Sequence, residues 1–201
     1  MTTLNFATST PDESVGNMSG NLPHWRQTGT TYFVTFRLGD SIPRAKLEQW
    51  EREREEWLAA HSEPHDARLR EEFYVLFIER FQKWLDAGYG SCVLSKPHVG
   101  SIVEEALRFS DGERYALGEH IVMPNHVHAL VTPLPGYDLS TILQTWKSYS
   151  SHQINHALGR RGGNWQKESF DHIVRNGRQL KRIVEYIRNN PKMGQIEQAG
   201  E

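Results

Sequence analysis

Apolar and polar positions alternate in four parts of the chain, which is the pattern typical of β-strands. Residues 31–38 interleave β-branched and aromatic side chains and then meet a glycine, as a first strand does. Residues 114–122 and 126–132 have the same character and are separated by a short turn that contains Pro124. Residues 168–175 predict a short fourth strand.

Apolar residues that recur every three or four positions predict amphipathic helices. The first two predicted helices carry many charges and lie between the first and second strands. We interpret this part of the chain, residues 44–90, as a helical insertion that is more typical of scaffold than of chemistry. The five predicted helices span residues 45–60, 66–87, 97–109, 139–158 and 178–190.

The order of these elements predicts the fold. Without the insertion the order is βαββαβ followed by one more helix, which is the order of a ferredoxin-like, α+β fold with an antiparallel sheet. We therefore expect a polar, disordered tail over residues 1–21 and a single domain over residues 22–195 that carries the insertion and ends in a tyrosine-bearing helix.

Composition narrows the class of protein. The chain has 201 residues, of which 37% are hydrophobic and 24% charged, so it can bury a core and is not disordered throughout. It contains no apolar run long enough to span a bilayer and a single cysteine, Cys92, which excludes an internal disulfide. The N-terminus lacks the pattern of a signal peptide, so we expect a cytoplasmic protein.

Charge is unevenly distributed along the chain. Residues 44–90 hold eight Lys/Arg against eleven Asp/Glu, whereas residues 141–193 hold ten Lys/Arg against three Asp/Glu. Clustered cations are what contacts with a phosphate backbone require. The basic C-terminal third therefore favours nucleic acid as a partner, although the overall charge of −2 does not.

Two histidines stand two positions apart at the start of the third predicted strand. Because side chains alternate across a strand, His126 and His128 point to the same face. Two imidazoles on one rigid face can bind a metal ion. The pair alone is weak evidence, because histidine is frequent in this chain and such pairs also occur in protein cores.

Tyr186 and Asn190 lie four positions apart on the last predicted helix and so share one of its faces. This face is at the edge of the apolar stripe. A tyrosine there can be a boundary residue with a hydrated hydroxyl, or it can be a covalent nucleophile. A nearby metal ion would assist attack on a phosphodiester by polarising the phosphoryl oxygen, and the Asn190 amide oxygen could complete the shell of that ion.

Four short motifs together resemble the REP-associated tyrosine transposases, which are single-tyrosine HUH transposases of insertion sequences. The motifs are Met123–His128, Trp165-Gln166, Phe170–His172 and Tyr186–Pro191. The resemblance implies an enzyme that nicks and rejoins single-stranded DNA through a 5′-phosphotyrosine. It assigns Tyr186 as the nucleophile and His126, His128 and Asn190 as ligands of Mg²⁺ or Mn²⁺. Imidazole is not a usual magnesium ligand, so manganese or zinc binding is also expected.

The resemblance further implies single-stranded DNA with hairpin repeats as the partner, and it leaves open whether the protein is a homodimer or a monomer. Basic and aromatic side chains in the C-terminal third are the candidate DNA contacts. They are Lys147, Arg160, Arg161, Trp165, Arg175, Arg182 and Arg188. Trp146 lies on an apolar stripe and is expected in the core.

Two other functions fit the same residues. The protein can be a hairpin-binding protein without catalytic activity, or a hydrolase in which His126 and His128 hold a metal ion and water attacks. The hydrolase is disfavoured because no obvious carboxylate stands beside the pair in the sequence, where Asp171 is the sole candidate.

Overall fold

The computed structural model describes residues 29–62 and 65–198, so the predicted tail over residues 1–21 lies outside the described residues. A π-helix over Tyr74–Glu79 and a short 3₁₀ helix over Val93–Ser95 accompany the regular elements. The strands are β1 (Tyr32–Arg37), β2 (Tyr115–Val122), β3 (His126–Pro133) and β4 (Phe170–Ile173). The helices are α1 (Arg44–Ala60), α2 (Ala67–Phe73), α3 (Arg80–Asp86), α4 (Pro97–Arg108), α5 (Leu139–Ala157) and α6 (Gly177–Gln198).

The four strands form one antiparallel sheet in the order β2-β3-β1-β4. Strand β3 lies between β1 and β2, which are joined through the insertion and α4. This is the split βαβ arrangement of the ferredoxin-like fold, so the predicted α+β class and the predicted order of elements along the chain are confirmed.

Each face of the sheet is covered by helices. On one face, side chains such as Val34 and Ala129 belong to the main core together with residues of α4 and α5, including Trp146. On the other face, Phe33 and Leu130 pack against α6. Since alternate residues of β3 share a face, His126 and His128 lie on the same side as Leu130, the side that α6 covers.

The insertion forms a small aromatic core of its own. Trp50 and Trp57 of α1 pack against Phe77 of the π-helix, and Trp50 Nε1 donates a hydrogen bond to the Phe77 carbonyl, 3.0 Å away. The predicted helix over 66–87 is helical almost throughout but is not one regular α-helix, because the π-helix lies between α2 and α3. A π-turn shifts the helical phase, and such turns are frequent at functional sites.

The fourth strand is shorter than the predicted 168–175. It pairs with β1 only from Thr35–Phe170 to Tyr32–Ile173, and it is an edge strand. Among the described residues no helix is long and apolar enough to cross a membrane.

Candidate active site

The two histidines of β3 lie side by side and are fully buried. The Nε2 atoms of His126 and His128 are 3.0 Å apart. If both nitrogens bind the same ion at roughly 2.1 Å and at a right angle to each other, they lie about 3 Å apart. The pair therefore fits the shared coordination of a metal ion.

Neighbouring polar groups orient both rings. Asn125 Nδ2 donates to the Tyr89 carbonyl (2.9 Å), which turns Asn125 Oδ1 toward His126 Nδ1 at 2.7 Å. That oxygen accepts, so His126 carries its proton on Nδ1 and keeps a lone pair on Nε2. His128 Nδ1 lies 2.7 Å from Thr35 Oγ1, a hydroxyl that can donate or accept. Such outer partners fix the orientation of metal-binding imidazoles.

Burial keeps both imidazoles neutral near pH 7. It lowers the pKa of His126 to about 3, and together with His126 it lowers the pKa of His128 well below its usual value. Neutral imidazole is the form that binds metals, because the lone pair is then available.

Tyr186 brings its hydroxyl from α6 to this pair. The hydroxyl oxygen lies 3.2 Å from His128 Nε2, and it donates to Asp86 Oδ2 at 3.3 Å. Burial, and then the negative charge of Asp86, raise the pKa of Tyr186 above its usual value. Without a nearby cation the phenol is therefore protonated and a weak nucleophile.

Asn190 lies one helical turn after Tyr186 and is fully buried. Neither its amide oxygen nor its amide nitrogen forms a hydrogen bond of ordinary geometry with the part of the chain that the structure describes. The amide is nonetheless near enough to the Tyr186 hydroxyl to lower the pKa of that phenol. A buried amide without a partner is costly, so an ion or a substrate group is a suitable partner for its oxygen.

Asp86, the last residue of α3, is the site residue that the sequence did not indicate. Its Oδ1 lies 3.6 Å from His126 Nε2, and one oxygen of Asp86 and one nitrogen of each histidine lie within 4.8 Å of one another. Asp171, the carboxylate considered from the sequence, pairs with Val34 in the sheet register and so faces the opposite side. The sequence did contain one signal that could have pointed to Asp86, because an acidic residue at the C-terminal end of a helix is disfavoured by the helix dipole.

The predicted DNA-contacting arginines are exposed at the surface. Arg161, Arg175 and Arg182 belong to this group. Arg160 donates a hydrogen bond to Asn164 Oδ1, and Arg188 forms an ion pair with Glu119 at 2.5 Å. Their role in DNA binding stays a prediction.

Lys147 and Trp165 have partners within the protein. Lys147 Nζ donates to the carbonyls of Gln166 and Lys167, and burial lowers the pKa of Lys147 to about 8. Trp165 packs on Phe36, and its Nε1 donates to Ser150 Oγ at 2.9 Å. Both line an open cleft of about 820 Å³ between α5 and the loop that precedes β4. Contact with DNA by these two residues also stays a prediction.

Comparison with known proteins relates this part of the chain to transposases. Residues 93–190, just under half of the chain, match the family model described as "Transposase IS200 like". The matched segment contains both histidines, Tyr186 and Asn190. No curated protein matches the chain.

A solved structure of a transposase has a similar fold. The structure of a REP-associated tyrosine transposase bound to a REP hairpin is similar over 87% of this chain and 73% of that chain, with a TM-score of 0.50 and 19% identity. A proposed transposase from Deinococcus radiodurans R1 is also similar, with 15% identity, 80% and 89% coverage and a TM-score of 0.34. The resemblance to transposases that the motifs indicate is thus confirmed by a family model that matches residues 93–190 and by a solved structure with a similar fold.

Proposed function

We propose that the protein is a transposase that cuts and rejoins single-stranded DNA at hairpin-flanked sites through a covalent bond to Tyr186. The observation that carries this proposal is the position of the Tyr186 hydroxyl, 3.2 Å from a buried histidine pair that fits a metal ion. The family match supports transposition and DNA binding. The related REP transposase bound to a REP hairpin supports DNA hairpins as the partner.

In the cleavage step the Tyr186 oxygen attacks the phosphorus of a phosphodiester. The new bond joins tyrosine to the 5′ phosphate, and the bond to the 3′ oxygen breaks. The phenol loses one proton and the departing 3′ oxygen gains one, so no other reactant is consumed. Rejoining is the reverse step, in which a 3′ hydroxyl attacks the phosphotyrosine and releases Tyr186. Because the phosphotyrosine conserves the energy of the bond, no nucleotide cofactor is required.

His126, His128 and Asn190 would hold the divalent ion, Mg²⁺ or Mn²⁺. When bound, this ion polarises the phosphoryl oxygen and offsets the negative charge that develops on it. The fully buried histidines and the amide of Asn190, which forms no hydrogen bond of ordinary geometry among the described residues, fit such an ion. The exposed arginines of the C-terminal third would contact phosphates away from the reacting bond.

A covalent-adduct assay tests the nucleophile. The protein is incubated with Mn²⁺ and a 3′-labelled single-stranded oligonucleotide that carries a REP-type hairpin, and the label is followed on a denaturing gel. Wild-type protein is expected to carry the label, because the 5′ phosphate stays bonded to Tyr186. Tyr186→Phe is expected to lose the adduct and to retain hairpin binding. An adduct that persists in Tyr186→Phe would contradict the assignment.

A metal-dependent hydrolase is the second candidate function. The sequence disfavoured this function because no obvious carboxylate stands beside the histidines. In the structure, Asp86 is a carboxylate close to both of them. In that function a metal-activated water cleaves the phosphodiester, so cleavage survives in Tyr186→Phe and no labelled protein forms.

Hairpin binding without any cleavage in the wild-type protein would instead indicate a binding protein.

A further inference from the structure

We propose that Asp86 is a ligand of the metal ion, so that the helical insertion supplies the carboxylate of an otherwise imidazole and amide site. This inference rests on the proposed function only in that it requires a metal ion at His126 and His128. It goes beyond the set of His126, His128 and Asn190 that the sequence motifs imply.

The geometry of the three side chains carries the proposal. Asp86 Oδ1 is 3.6 Å from His126 Nε2, and the ligand atoms of all three residues fall within 4.8 Å of one another. His126 Nε2 keeps its lone pair because Nδ1 donates to Asn125. One ion placed among these atoms can therefore contact two neutral nitrogens and one carboxylate oxygen.

Hydrogen bonds fasten the chain after α3 at several points, one of them beside the site. The carbonyl of Tyr89 accepts from Asn125 Nδ2 at 2.9 Å, and this bond orients His126. The Tyr89 hydroxyl accepts from Lys46 Nζ at 2.7 Å, and the Ser91 backbone donates to Asp40 Oδ2 at 2.8 Å. These contacts join the segment that follows Asp86 to the residue before β3, to α1 and to the loop after β1.

Charge and ligand chemistry agree with this placement. Asp86 is the last residue of α3, where the helix dipole disfavours a negative charge. A divalent cation compensates the carboxylate. The carboxylate also makes a site with two imidazoles more suitable for Mg²⁺ or Mn²⁺. These ions prefer hard oxygen ligands, whereas imidazole suits zinc better.

Metal titration of the full-length protein provides the first test. Calorimetry with Mn²⁺ is compared for the wild type, Asp86→Asn and Glu56→Gln, a control that removes one negative charge from an exposed position of the same insertion. Asparagine keeps the size and can still accept from Tyr186. We expect the dissociation constant to rise by about tenfold or more in Asp86→Asn, as changes around metal ligands usually cause, and to stay within about twofold in Glu56→Gln. Equal affinity of Asp86→Asn and wild type would overturn the proposal.

A thiolate variant distinguishes direct ligation from a structural role. Asp86→Cys is expected to bind Cd²⁺ more tightly than wild type and to show a new ultraviolet thiolate-to-metal absorption band, because soft ligands select soft ions. Wild type, which carries Cys92, gives the baseline. A folded Asp86→Cys without that band would overturn the proposal.

The same titration separates this inference from the proposed function. His126→Ala is expected to lose Mn²⁺ binding. If it does so while Asp86→Asn binds like wild type, the inference fails and the metal site of the proposed function stands. If His126→Ala binds Mn²⁺ like wild type, the metal site itself is wrong and the inference fails with it.

Discussion

At the scale of single residues, the active-site face of the sheet is a row of buried aromatic and imidazole rings. The Phe33 ring stacks on His128 with centroids 5.3 Å apart, and His172 of β4 packs edge-on against the other side, at 5.4 Å. Burial, with a smaller effect of Arg175, lowers the pKa of His172 to about 4. His172 is therefore neutral in the folded protein above about pH 4, and its ring packs against Phe33.

The depressed pKa of His172 predicts a pH dependence of stability. Above about pH 6.5 this histidine is neutral in both the folded and the unfolded state. Between about pH 6.5 and pH 4 it is protonated in the unfolded chain but not in the folded protein. The contribution of His172 to the free energy of unfolding is fully present above pH 6.5. It is lost as the pH falls toward 4, by about 3 kcal/mol in total. Urea unfolding of metal-free His172→Phe between pH 7 and 4 should therefore show a shallower decline than wild type.

The control for this experiment is His98→Phe, which replaces an exposed histidine of α4. Its decline should match that of wild type. The other buried histidines add to the slope in every variant, so the comparison uses differences between variants. A slope in His172→Phe identical to that of wild type would contradict the burial argument.

At the scale of elements, the turn after α3 decides where the insertion ends. Gly88 and Gly90 both have a positive φ, of 70° and 91°. A Cβ on Gly90 would lie 2.5 Å from the backbone oxygen of Asp40, whereas a Cβ on Gly88 would meet nothing within 4 Å. The loop after β1 and the turn after α3 are thus in close contact at Gly90.

This difference predicts unequal costs for two similar substitutions. Gly88→Ala should lower the free energy of unfolding by about 1 kcal/mol, since a left-handed conformation is mildly unfavourable for alanine. Gly90→Ala should lower it by about 3 kcal/mol or more, because the backbone of Asp40 must also move. Urea unfolding measures both, and equal losses would show that the close approach is easily relieved.

At the scale of the whole molecule, acidic and basic residues are concentrated in different segments of the chain. The insertion carries the acidic excess and the segment after residue 141 carries the basic excess. Several of these cations, including Arg161 and Arg182, are exposed rather than used in the core. A surface of this kind attracts a polyanion although the overall charge is −2.

Salt dependence of hairpin binding tests this surface. Each phosphate contact contributes about 0.7 to 0.9 to the slope of log affinity against log salt concentration. Arg161→Ala should lower the slope by about that amount, and Arg52→Ala, an exposed change on the acidic insertion, should leave it unchanged. Fluorescence anisotropy with a labelled hairpin at several salt concentrations gives the slopes. Unchanged slopes in both variants would place the DNA elsewhere.

Most of the fold was predictable because its signals are local. Strand alternation gave β1, β2 and β3 nearly to the residue, and the helical period gave α4 and α5. The last helix continues to Gln198, beyond its predicted end at residue 190. The other errors fall where tertiary contacts decide the outcome. Strand β4 ends where its pairing with β1 ends, and the π-helix breaks the regular period within the insertion so that its aromatic residues can meet α1.

The sequence by itself determined which side chains could act together within one element. His126 and His128 share a face because a strand has a period of two, and Tyr186 and Asn190 share a face because they are one helical turn apart. Only the tertiary structure decided that Tyr186 meets His128 and that Asp86 of the insertion meets both. The physical reason is separation along the chain: the position of Asp86 depends on the packing of α1 against the π-helix and on the bond from Asn125 to Tyr89, and no local period encodes either.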